Sequence, residues 1–364
     1  MFGYNGWAVN FGQRSWTHEP PSGYKSLSTN NLPDPLVKPK KNFSAVTYTG
    51  NGGNLTVDGV GFSAGLTWLK NRDTARNHNL TDTVRGVNKY LSSDTTDEER
   101  TGAGVQSWTA DGFTLGSGEP SNDSGDNYIS WNFKAGGPAV TNNDGSIPTQ
   151  VSANPTSGFS IVSWTADGQI ATLGHGLGQV PSLIICKKRS TDGDPWITWV
   201  DGFSSDEYIL LNTFGAKTSA PGFWGSTPNS TTFSVTGNGF AAGTAIAYCF
   251  TNTEMLQVGS YVGNGLADGP MVSLPFKPAY FMVKATSSDQ EWTVWDNARS
   301  PYNLSSKVLY PDLNVVEGDF ASLGVDLLSN GVKIRGDHPY TNISGIKYLY
   351  LSISDQSFKH SRGR

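Results

Sequence analysis

A short segment recurs three times in this chain, and that recurrence limits the fold more than any other feature. Phe43–Gly52 reads FSAVTYTGNG, Phe159–Gly168 reads FSIVSWTADG and Leu256–Gly265 reads LQVGSYVGNG. Each copy alternates apolar with small polar residues and ends in a Gly-Asn-Gly or Asp-Gly turn. That is the pattern of a half-buried strand entering a tight turn. The residues downstream of each copy also recur in the same order. Tyr48, Trp164 and Tyr261 share one position, and Lys70, Lys187 and Lys284, 22 or 23 residues later, share another. An aromatic strand closes each copy: Tyr128–Phe133, Ala245–Phe250 and Tyr348–Ile353. One module used three times explains this order.

The residue types favour strands. The chain has 43 Gly and 19 Pro, 12% aromatic residues and only 16% charged residues, which suits short strands joined by turns. The expected fold is all-β, with three tandem antiparallel β-sandwich modules of about five strands each. They span 42–137, 158–253 and 255–354, either end to end or side by side. Linkers are expected at 36–41 and 138–157, the latter rich in Gly, Pro, Asn and Ser, and a basic tail at 355–364. Hairpins are expected at 107–115, 233–241 and 325–334. The charge run Asp94–Arg100 reads as a solvated loop.

Several classes of function are disfavoured. A net charge of −5 does not suit nucleic acid, which needs a basic surface. No run approaches the ~20 apolar residues of a membrane helix, so no membrane insertion is expected, and MFGYNGWAV does not read as a secretory signal. Cys186 and Cys249 lie in apolar runs and read as buried free thiols, with no metal spacing.

Residues 1–35 carry Trp7–Gln13, the turn Pro20–Tyr24 and Leu27–Pro33. They resemble the C-terminal end of a SPRY (B30.2-like) domain, a remnant too short to form that sandwich alone. The repeats resemble a β-domain of unknown function found in structural proteins of marine phages. The residues that carry this are Trp68–Asp73, Asp82–Gly86, Lys89–Leu91, Tyr128–Gly137, Gly174–Gly178, Gly259–Gly265, Leu328–Gly336 and the tail Phe358–Ser361. The resemblance implies a non-enzymatic virion protein, a tail fibre or other surface appendage, that contributes to attachment on host-surface glycan or protein. It also implies other virion proteins as partners and a homotrimeric state. Capsid decoration (or a spacer role) and polysaccharide depolymerisation are the alternatives.

No catalytic residue, metal or cofactor is expected. His175 in GHGLG has no partner placed by spacing and reads as a turn residue capping backbone. Asp82, Asp201 and Asp296 fall near one place in each copy, beside Arg85 and Arg299. Paired carboxylates serve glycoside hydrolysis, but a set that repeats with the module is more economically structural. Ser121–Asn127 (SNDSGDN) has oxygen ligands suited to calcium without the spacing of a calcium loop. Indole faces stack on sugar rings, so the tryptophans are the candidate ligand contacts. Trp196 and Trp199 differ by an odd step, as do Trp292 and Trp295, which turns one of each pair to the other face of its strand. Trp199, Trp295 and above all Trp224, in the loop APGFWGSTPN, are the expected sugar-binding residues.

Overall fold

Strand pairing places each recurring segment at the edge of a four-strand set with the same order three times. The computed structural model describes residues 17–18, 21–25, 31, 34–117 and 121–357. Of the SPRY-like segment, residues 17–18, 21–25, 31 and 34–35 are described, and Tyr24 N–H donates to Pro21 O at 3.0 Å in the expected turn; the rest lies outside the described residues, as do most of the tail and Phe358–Ser361. In unit 1 the order is Phe43–Thr49, Asn127–Phe133, Leu66–Asn71, Asn79–Asp82. In unit 2 it is Phe159–Ala166, Gly243–Phe250, Leu183–Lys188, Trp196–Val200. In unit 3 it is Leu256–Val262, Lys347–Ser357, Phe276–Ala285, Thr293–Asp296. All these pairs are antiparallel, so the fold is all-β. A smaller sheet accompanies each set: Leu55–Val57 with Phe113–Leu115 and Val105–Trp108, Ala171–Gly174 with Thr232–Val235, and Asp268–Ser273 with Gly331–Arg335 and Val325–Leu328.

The units are not beads on a string. One face of each large sheet joins a single apolar core built from all three, with Trp68 and Trp131, Trp196 and Tyr248, and Tyr280 and Trp292 among its members. The opposite face packs into the unit's own core. Strand alternation therefore sends Trp196 and Trp199 to opposite faces, but both faces are covered. Trp196 enters the shared core and Trp199 the core of unit 2; Trp292 and Trp295 divide in the same way.

Three expectations change. Residues 138–157 are not only a linker: Val140–Asn142 and Thr149–Asn154 are strands that extend the unit 2 sheet. Its backbone groups run beside an open sheet edge, and pairing there satisfies them. Residues 233–241 do not form a hairpin, because Thr232–Val235 pairs with Ala171–Gly174 instead. The last strand runs through 355–357 before the tail.

An arm from each unit lies against the next and closes the ring. Glu99 N–H donates to Arg189 O, Lys217 N–H to Thr286 O and Glu317 N–H to Arg72 O, each at 2.9 Å. The three recurring lysines are fully buried and reach across these joints. Lys70 Nζ donates to Asn314 O at 3.3 Å, Lys187 Nζ to Thr96 O at 3.2 Å and Lys284 Nζ to Phe214 O at 2.6 Å. A ring nitrogen makes a second rung. Trp196 Nε1 donates to Ser92 O at 2.8 Å and Trp292 Nε1 to Leu210 O at 2.9 Å. His78 stands in the third such place. Its Nδ1 accepts from Trp68 Nε1, so Nε2 carries the proton and donates to Tyr310 O at 2.9 Å. Burial holds His78 well below the usual imidazole range, which keeps it neutral.

Burial lowers all three lysines to about 8, whereas the unfolded chain titrates near ~10.4. Between those values the unfolded state holds protons that the folded state has released, so stability rises with pH across that window. Relative to the triple Lys→Met variant, the urea midpoint should climb from about pH 8 to pH 10; the comparison is needed because burial also raises Cys186, Cys249 and tyrosines such as Tyr48 and Tyr261, which lower stability over the same range. Lys187→Met should flatten the rise. An unchanged slope in the triple variant would assign the dependence to other groups.

Candidate functional site

The repeating carboxylates fasten the ring. Asp82 and Arg85 are buried and paired, and Tyr248 of unit 2 donates to the same Asp82 oxygen at 2.8 Å. Asp296 and Arg299 pair at 2.6 Å, and Trp131 Nε1 of unit 1 donates to Asp296 at 3.0 Å. Each arginine also meets the arm glutamate of its own unit: Arg85 meets Glu99 at 3.5 Å and Arg299 meets Glu317 at 3.1 Å. The neighbouring unit supplies a second guanidinium, Arg189 to Glu99 at 2.9 Å and Arg72 to Glu317 at 2.8 Å. Burial alone would raise the Glu317 carboxyl, but Arg72 and Arg299 outweigh it and hold it below the usual range. The run Asp94–Arg100 is thus an inter-unit arm rather than a solvated loop. Asp94 is itself buried enough to be raised to about 6, and it accepts the His78 N–H.

Asp201 does not belong to this set. The register places Val200, opposite Leu183, where Asp82 lies opposite Leu66 and Asp296 opposite Tyr280. Three residues on, Phe203 takes the place of Arg85 and Arg299. The joint between units 2 and 3 keeps the lysine and tryptophan rungs but differs in its charged side chains. Lys217 replaces the arm glutamate and Thr286 the neighbour's arginine. Leu351 holds the position of Trp131 and Tyr248. At this strand position a polar donor crosses the joint only where a carboxylate waits for it.

The other expected sites are structural. His175 is buried, accepts the Leu177 N–H and donates from Nε2 to Asn229 O at 3.1 Å. Burial lowers its pKa. In the Ser121–Asn127 loop, Asn122 accepts the Asn51 N–H and its backbone accepts the Gly52 N–H. Asn342 does the same for Asn264 and Gly265 in unit 3. The residues after it, Ile343 and Ile346, replace Asp123 and Asp126, so the shape needs no carboxylate. Asp123 and Asp126 bond Arg76 and Asn71.

The tryptophan expectation is overturned as to exposure. Trp224 is 2% exposed, Trp199 2% and Trp295 0%, and rings so covered present no face to a sugar. The loop of Trp224 folds back on unit 2, where its Nε1 donates to Glu207 O at 3.0 Å.

The structure instead singles out Trp108, on the edge strand of the small sheet of unit 1. It is half-buried and fixed by Nε1 to Thr67 Oγ1 at 3.1 Å. It lines a cleft of about 690 Å³ with Asn42, Ser63, Thr83, Lys134 and Asn154. The amides are set by Asn154 Nδ2 donating to Asn42 Oδ1 at 3.0 Å, and the Thr83 hydroxyl is buried without a protein partner. Gly136 closes one end: a Cβ there would lie 2.1 Å from Ala153 O. An aromatic ring beside amides, hydroxyls and one ammonium suits a polar ligand with an apolar face. The sequence clue to Trp108 is its place beside the Asp111-Gly112 turn, at the end of a short strand that can be paired on only one side. Among the described residues, no three His, Cys, Asp or Glu side chains are grouped to hold a metal ion.

The charged joints can be tested by transplanting the apolar one. Arg85→Ala leaves Asp82 buried without its partner and should cost about 3–5 kcal/mol. The triple change Asp82→Val, Arg85→Phe, Tyr248→Leu, which copies the residues of the unit 2–3 joint, should cost less than half of that in urea unfolding. Equal losses would mean that the ion pair is not what the joint tolerates losing as a set.

A search of the curated proteins finds no match. A family model for a domain of unknown function, DUF7483, matches residues 38–357. That single match runs through all three units, and the chain belongs to the DUF7483 family.

Proposed function

We propose that the chain is a non-enzymatic structural protein of a phage virion, in a tail fibre or similar appendage, that contributes to attachment on host-surface glycan. The phage setting, the other virion proteins as partners and the homotrimer rest on the resemblance of the repeats. The glycan reading rests on one observation, the Trp108 cleft, whose ring, amides and hydroxyls match what a sugar offers. The closed ring supports a passive role: Asp82, Asp296 and the three recurring lysines are bonded across its joints.

The test is binding of the full chain to host cells and to their purified surface glycans, with released reducing ends measured in the same samples. Trp108→Ala should weaken binding by at least about tenfold, the loss expected for one stacked ring; because Trp108 also packs on the small core of unit 1 and bonds Thr67, urea unfolding run in parallel confirms that the variant is folded under the binding conditions. Released sugar ends would make the protein a depolymerase. Equal binding by the variant would remove the cleft from the reading, and no binding together with a head location in virion maps would favour decoration of the capsid. Light scattering of the purified chain checks the trimer.

A further inference from the structure

The joint between units 2 and 3 leaves open the space that charged side chains occupy at the other two. At those joints a glutamate, Glu99 or Glu317, lies between two guanidinium groups. Here the glutamate is Lys217 and the guanidinium groups are Phe203 and Thr286. The exchange leaves a pocket of about 230 Å³, room for about eight waters at ~30 Å³ each, on the scale of one sugar ring.

We infer that this pocket binds a small hydroxylated carboxylate, an acidic monosaccharide of the hexuronate class. The arm glutamate of the sister joints is missing here, and two ammonium groups, Lys217 and Lys347, line the space together with one carboxylate, Asp201. Lys347 is exposed and has no ion pair among the described residues. Lys217 is shared with Glu207 and lies 5.2 Å from the centre of the Phe203 ring. A ligand carboxylate gives Lys347 the ion pair it lacks, beside a Lys217 already held by Glu207, and charge-assisted hydrogen bonds are the strong ones. The remaining surface suits a sugar ring. Phe203, Val258 and Leu349 offer apolar contact, and the Ser260 hydroxyl and the Asp201 carboxylate offer partners for ring hydroxyls. Thr286 Oγ1 donates to Lys347 O at 2.9 Å, so its oxygen is left to accept. The site is separate from the Trp108 cleft, with which it shares no lining residue.

Calorimetry of the full chain with D-glucuronate tests this, with D-glucose and acetate as controls. Saturable binding with Kd on the order of 1 mM is expected, and the unfolding midpoint should rise with ligand concentration. Lys347→Glu and Ser260→Trp, both at exposed positions, should each weaken binding at least tenfold, and Trp108→Ala should leave it unchanged. The inference is overturned by the absence of saturable binding, by equal binding of glucose or of acetate, or by unaltered binding in both pocket variants. Because the cleft variant is measured in parallel, failure here is distinguishable from failure of the attachment reading.

Discussion

The ring depends on donors that reach across each joint to backbone carbonyls with no strand partner. An arm lying against a neighbouring sheet brings buried carbonyls with it, and a buried carbonyl left unpaired costs free energy comparable to a lost hydrogen bond. Lys70, Lys187 and Lys284 solve this with an ammonium on a long stem. Trp196, Trp292 and His78 solve it with a ring N–H. The lysines carry a desolvation cost, seen in their lowered pKa values. That cost is tolerated because the same groups admit the large apolar core shared by all three sheets. Burial of that core drives the ring together, and the rungs fix which arm meets which sheet.

The three joints show two ways to finish the same contact. Around unit 1, a buried Asp–Arg pair is bridged by Trp131 or Tyr248 from the next unit, and an arm glutamate is held by a second arginine. Between units 2 and 3 the corresponding residues are Val200, Phe203, Leu351, Lys217 and Thr286. Ion pairs taken out of water gain little over apolar packing of similar shape, but half of one is costly. This explains why the substitutions occur as a set. At this joint an apolar floor lies beside Lys217, held by Glu207, and the exposed Lys347.

Function, on this reading, lies where the rules of the ring relax. Most polar side chains inside the structure are bonded to one another. The Trp108 cleft and the unit 2–3 pocket are places where rings, hydroxyls and ammonium groups meet without completing one another. Both use positions that differ between units, so three copies of one architecture provide surfaces that are not copies.

The sequence by itself determined the local layer: the recurring segments, the all-β class, the first and last strands of each unit and the lysine register. These arise from period-two alternation and turn chemistry, which are properties of neighbouring residues. Alternation states that two faces of a strand differ, but not what covers either one. It correctly places Trp199 and Trp295 on the face opposite Trp196 and Trp292, yet that face is a core. The charge run at 94–100 reads as solvated because its partners, Arg189 and Lys187, lie about ninety residues away. Asp201 sits one residue from its supposed equivalents, and only strand pairing fixes the offset. Trp108 carries no distinguishing pattern until the edge strand, the cleft and the glycine-tight join at Ala153 come together. Burial and partnership over long sequence distances are decided by how sheets pack, and only the tertiary structure held that information.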